Sequence, residues 1–413
     1  MPNYHFYKAY CCRVSNSLFQ ESCLLKLIGG IALCQLLVFI SPCARADESF
    51  VRNGVAGFVV SDFKFALGPD AEVSGTCPLG MTKNVADIYA ISPGGKPRDG
   101  ESVEAYRGRV MGWAKQFSTN PDGSNVCMKP EEAAPDPYFR VVERSDIPVD
   151  GINLDGEISA NDFSGIGGEK GVDNQYYRVV GCNHSYQSTG SSNSFAIEML
   201  TGSWGILISL SDVDDIHNDD YVAVGLYANA DPIRLSPDRK PLSFASYTVD
   251  PEQRYRATTT GKIVNGVLTT EPVDVRFHSV VNSMYLERVL KDARLKAELS
   301  EEGVLGGYLA GYSPVEAIYD AQFGFRNGKT AEGTLAPDRL RMGSSNGAAY
   351  VLGYTCQGVY EALNKYADGH PDPETGKFTS ISTQYRFQAI PAFVINPQEE
   401  HKLANDTVAQ HED

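Results

Sequence analysis

Lys291-Asp292-Ala293-Arg294-Leu295-Lys296-Ala297-Glu298-Leu299 is built largely from residues that favour helices, yet its apolar members fall on every second position. Ala293, Leu295, Ala297 and Leu299 alternate with Arg294, Lys296 and Glu298, which is the two-residue period of a half-buried strand. Intrinsic helix preference differs by only a few tenths of a kcal/mol per residue among such residues, roughly, so the burial pattern decides and a strand is expected. Ser300-Glu301-Glu302-Gly303 then reads as the turn into a second strand over 304–308, closing a hairpin.

The same period recurs upstream. Short runs rich in β-branched and aromatic residues occur at 139–143, 176–182, 195–199, 205–210, 221–227, 243–249 and 267–270. Asn265-Gly266, between Ile263-Val264 and Val267-Leu268, is the sequence of a tight hairpin turn. Short strands separated by glycine turns point to a sandwich or barrel and not to alternating βα units. The expected fold class is therefore mainly β, with a β-sandwich-like body over 138–396. Before it lies a small mixed α/β region, 47–137, with strand-like Val59-Val60 and Phe63-Lys64-Phe65 and a helix over 103–116. The two are separated by the Pro- and Glu-rich joint Lys129-Pro130-Glu131-Glu132-Ala133-Ala134-Pro135-Asp136-Pro137. One C-terminal helix is expected over 348–367, ending at Asp368-Gly369, followed by a last strand over 381–395 and a polar, disordered tail over 397–413.

The chain has 413 residues, 36 Lys plus Arg and 52 Asp plus Glu, for a formal charge of −16. A surplus of carboxylates disfavours nucleic acid as a partner, because phosphate binding needs clustered cations. Residues 1–46 have the parts of a secretory signal: Lys26, an apolar run over 27–40, helix-breaking Pro42 and an Ala44-Arg45-Ala46 exit. With that signal removed no transmembrane segment is expected, and the protein is placed in the periplasm or outside the cell. Five of the nine cysteines leave with the leader, and Cys77, Cys127, Cys182 and Cys356 remain. An even set in an exported chain implies two disulfides. Proximity along the chain favours Cys77 with Cys127 and Cys182 with Cys356 among the three possible pairings.

Two acidic stretches could carry metal chemistry. Asp212, Asp214, Asp215, Asp219 and Asp220 lie within nine residues between two expected strands. Carboxylates so close repel unless they are solvated or share a cation, so the stretch is either a solvated turn or a calcium loop. Asp150-Gly151-Ile152-Asn153-Leu154-Asp155-Gly156-Glu157-Ile158-Ser159-Ala160-Asn161-Asp162 is similar to the calcium loop of EF-hand and dockerin-type sequences. The likeness implies oxygen ligands from Asn153, Asp155 and Asp162, with Asp150 one residue out of register at the first position. The competing reading is a plain Asp/Asn/Gly turn. Asp368-Gly369-His370-Pro371-Asp372 is read as turn chemistry alone.

Gly343-Ser344-Ser345-Asn346-Gly347 fits the G-x-S-x-G pattern of a nucleophilic serine. The chain before it lacks βα alternation, and His370 follows too closely, so a helix N-cap is the better account of Ser345. No zinc, P-loop or dinucleotide-binding pattern is present. No catalytic residue is assigned.

Gly171-Val172-Asp173-Asn174-Gln175-Tyr176 with Gly181-Cys182, the acidic turn after 205–210, Asp368-Gly369, Asp372-Pro373 and Ala389-Ile390-Pro391-Ala392-Phe393 together resemble a group of exported proteins of Gram-negative bacteria without known activity. The resemblance spans most of 140–395 and implies export and one continuous architecture. The expected role is a binding or structural envelope β-domain, with calcium ordering its acidic loops and an envelope or glycan partner. The alternative is a secreted hydrolase acting through Ser345 or on glycans.

Overall fold

The computed structural model describes residues 50–187, 198–200, 204–281, 284–325, 339–340 and 352–397. The expected signal, the Gly343–Gly347 motif with Ser345 and the tail after residue 397 lie outside the described residues. In chain order the elements are strand β1 (Ala56–Phe65), helices α1 (Ala71–Ser74), α2 (Val85–Ile91) and α3 (Val103–Ala114), strands β2 (Pro148–Val149), β3 (Phe163–Gly165) and β4 (Lys170–Val172), and helix α4 (Gln175–Val180). Strands β5 (Ile206–Ser211), β6 (Asn218–Ala228), β7 (Ala245–Thr248), β8 (Arg256–Val264), β9 (Val267–Thr270), β10 (Val273–Val281), β11 (Met284–Leu299) and β12 (Leu305–Pro314) follow. Helix α5 (Val315–Phe323), strands β13 (Gly324–Phe325) and β14 (Arg339–Leu340), helix α6 (Cys356–Lys365) and strands β15 (Gly369–Pro371) and β16 (Phe378–Ile395) come next among the described residues.

The structure is mainly β, with 38% strand against 21% helix among the described residues, as the two-residue period demands. The deciding stretch is the second half of β11, and it pairs antiparallel with β12 through Leu295↔Leu309, Ala297↔Gly307 and Leu299↔Leu305. On its other edge β11 meets β9 and β10, which run in line and are interrupted at Glu271-Pro272. Proline has no N–H for the ladder, so pairing breaks there. The neighbouring register shift coincides with Asp292 at φ 48°, and the Asp292 N–H is taken up by the Asp274 carboxylate at 3.0 Å. The Asn265-Gly266 turn joins β8 to β9 with φ of 52° and 78°, the left-handed pair that a two-residue hairpin requires.

Pairing runs β1-β5-β6-β8-β9-β11-β12-β16, and β16 also pairs with β1, so the large sheet closes on itself. Every neighbour in the ring is antiparallel. The sandwich-like layering is thus produced by one sheet whose opposite sides face each other, and closure removes the free edges along the ring. Inward rows such as Phe63↔Phe387, Phe65↔Tyr385, Leu309↔Tyr385 and Ile208↔Leu226 join one buried cluster. Phe63 and Phe65 both stack on Tyr385, with ring centroids 4.6 and 4.9 Å apart.

Strand β1, which belongs to the expected N-terminal region, is a stave of this ring. Two excursions leave it: residues 66–205 between β1 and β5, and residues 315–377 between β12 and β16. The disulfides staple them. Cys77 is bonded to Cys182 and Cys127 to Cys356, with Cα atoms 5.9 and 5.1 Å apart, which corrects the pairing expected from proximity. Sequence distance does not decide because folding does the bringing together: Thr82 donates its N–H to the Cys182 carbonyl at 2.9 Å, and α6 places Cys356 at its own first turn. The second bridge ties one excursion to the other.

Other local expectations are corrected as well. The stretch 176–182 is no strand but falls in α4 and the turn after it: Asn174 caps the helix by accepting the Tyr177 N–H, and all six of its residues are buried. Continuous burial erases the periodicity that separates a short helix from a buried strand. Residues 139–143 are irregular, held instead by the Val142 N–H to the Arg178 carbonyl at 2.8 Å. Of the strand expected over 195–199, Glu198 and Met199 are among the described residues and are helical. Helix α6 starts only after Thr355, whose hydroxyl accepts the Gly358 N–H, and α5 is a second helix in the C-terminal half. No described helix is long and apolar enough to cross a membrane.

Candidate binding groove

Gly57, Ser209, Gly225 and Thr258 lie side by side on β1, β5, β6 and β8, each the direct cross-strand partner of the next. A row of such small residues lowers the sheet face, and the Tyr227 ring, folded back over Gly225, takes up part of the space and lines the trough that remains. The trough is about 500 Å³, within the range that holds a small molecule. Gly57 is required by close approach: a Cβ there would lie 2.6 Å from the Ala392 carbonyl oxygen, because the end of β16 crosses over it.

The walls are apolar and come from the edges of the fold. Strand β7 adds parallel to the end of β16, with Ala392↔Ala245 and Ile395↔Thr248 in register. Just before β7, Phe244 takes φ 57° and donates its N–H to the Pro391 carbonyl at 2.6 Å. That brings the Phe244 ring within 6.2 Å of Phe393, and both line the groove with Phe50 and Val55. Phe393 and Val55 are 41% and 51% exposed, so apolar surface is left open to solvent.

One ionisable group with a charge at neutral pH lines the trough, Arg52. It sits on a tight turn closed by two hydrogen bonds with Val55, of 2.8 and 3.0 Å, across Asn53 and Gly54 at positive φ. Its guanidinium lies 5.4 Å from the centroid of the Phe393 ring. No Asp or Glu is among the lining residues, in a chain with 52 of them.

The acidic residues singled out in the sequence lie elsewhere, and side-chain oxygens of Asp150, Asn153, Asp155, Asp162, Asp215 and Asp219 are engaged by the protein. Asp150 accepts from the Tyr308 hydroxyl and pairs with Arg386 at 3.0 Å, which fastens the 147–173 segment to the outer face of β12 and β16. Asn153 accepts the Gly156 N–H at 2.6 Å, Asp155 the Glu157 N–H at 2.7 Å, and Asp162 the Ser159 hydroxyl at 2.6 Å. In the second stretch Asp219 accepts the Asp214, Asp215 and Tyr221 N–H groups, which holds its carboxyl below the ordinary aspartate range, and Asp215 accepts the His217 N–H. Asn218, Asp219 and Asp220 are already part of β6, and Asp212 turns the chain at φ 59°. Among the described residues no three His, Cys, Asp or Glu side chains are grouped so as to hold a metal ion.

A buried polar layer that the sequence did not flag lies beneath the 147–173 segment. Gln384 is fully buried; its Oε1 accepts the Ile152 N–H at 2.7 Å, and its amide donates to the carbonyls of Ile152 and Asp173. Asp173 accepts the Leu154 N–H at 2.6 Å, and burial, helped by the charges of Asp155, Asp162 and Asp368, pushes its carboxyl up to about 7. Asp368 accepts the Ser382 N–H at 2.7 Å, and burial pushes it up to about 6. Each of these groups joins the excursion or the α6 exit to β16, so their first role is to seat those segments. Comparison with family models, curated proteins and solved structures gives no match to this chain.

Proposed function

We propose that this is an exported binding protein whose groove over the Gly57–Ser209–Gly225–Thr258 row holds a small, mainly apolar ligand. The observation that carries the reading is the trough itself: about 500 Å³, bounded by the small-residue row and the Tyr227 ring and walled by partly exposed phenylalanines. Export is supported by the leader-like segment at 1–46 and by two disulfides, which persist in oxidising compartments.

The test uses N-phenylnaphthylamine, a neutral apolar fluorophore. The mature protein should enhance its emission saturably. Thr258 is exposed, so Thr258→Phe fills the trough without disturbing the core and should abolish the enhancement at an unchanged melting temperature. Equal enhancement by the variant, or none by the parent, removes the proposal.

A further inference from the structure

Resting on that reading, we infer that the ligand carries an anionic head: a monocarboxylate with a hydrocarbon body, its tail along the small-residue row and its carboxylate on Arg52. The chain bears a formal charge of −16, so most of its surface is unfavourable to an anion. The groove is lined by one arginine and no Asp or Glu. At physiological salt, charges more than about 8 Å apart are largely screened, so the local cation outweighs the net charge of the molecule.

The environment of Arg52 suits this role. Among the described residues it makes no ion pair with a carboxylate, and its guanidinium lies over the Phe393 ring, 5.4 Å from the centroid. A guanidinium edge matches a carboxylate in two parallel hydrogen bonds, which a lysine in the same place could not supply. The hydroxyls of Ser209, Ser211 and Thr258 line the same trough but carry no charge, so they do not discriminate an acid from its ester. A cationic head is disfavoured by Arg52, and a neutral ligand leaves it unused.

The probes are a dansyl-labelled undecanoic acid and its methyl ester, titrated against the mature protein. The acid should bind roughly fivefold more tightly than the ester, the ratio expected for a partly exposed ion pair. Arg52→Gln should bring the acid down to the ester's affinity and leave the ester unchanged, and raised salt should weaken the acid alone. Equal affinity for the two probes, or an acid preference that survives Arg52→Gln, overturns the head-group inference while the groove stands. Failure of both probes to bind, or undiminished binding to Thr258→Phe, overturns the groove reading itself.

Discussion

Asp173 is a residue whose charge the fold opposes. Burial raises its carboxyl from the ordinary 3.8 to about 7, so the protonated form is favoured when folded. The stability it contributes is present below the unfolded value and is lost as pH rises through the folded one. The protein should therefore lose on the order of 2–4 kcal/mol of unfolding free energy between pH 4 and 7 through this group. Asp173→Asn keeps an acceptor for the Leu154 N–H and should flatten that slope; Asp368, raised to about 6, leaves a residual part. Urea denaturation across this pH range measures it, and an identical slope in parent and variant refutes the assignment. These carboxyls were not legible in the sequence. Crowding drew attention to Asp212–Asp220 and Asp150–Asp162, which are dense because many are solvated, whereas isolated acids buried by distant segments leave no local trace.

Among the elements, β11 was the most readable and α4 the least. In β11 the charged face of Arg294, Lys296 and Glu298 remains outside, so alternation survives intact and overrides helix-favouring chemistry. Leu295 is fully buried, and Leu295→Ala should cost about 2–5 kcal/mol by the cavity it opens. Lys296, whose ammonium pairs with Glu169 at 2.9 Å and is 41% exposed, should cost under about 1 kcal/mol when changed to alanine. Thermal denaturation of the two variants gives the comparison, and similar losses would contradict the inward and outward assignment. In α4 no outer face exists to reveal the period, and its capping Asn174 was legible only once a helix was known to follow.

At the scale of the molecule, the composition and strand spacing carried the class of fold but not its closure. The pairing of β1 with β16 joins residues more than 300 positions apart, and the groove depends on that same long-range alignment, since its row crosses four strands. Neither has a signature within any short window. The disulfides follow from the same geometry. Opening Cys127–Cys356 by the double serine variant should lower stability by about 3–5 kcal/mol, because the closed loop is long. Peptide mapping without reductant checks the connectivity: a Cys77–Cys127 fragment would overturn it.

Strand β1 emerges from a synthesising or translocating machine more than 300 residues ahead of β16. Its seam partner arrives only when residues 385–391 are released, so the hoop of staves cannot lock progressively from the front. The early stave must wait with one flank unmatched, which places the final cooperative step after residues 385–391 are available and makes it slow relative to folds assembled from local neighbours.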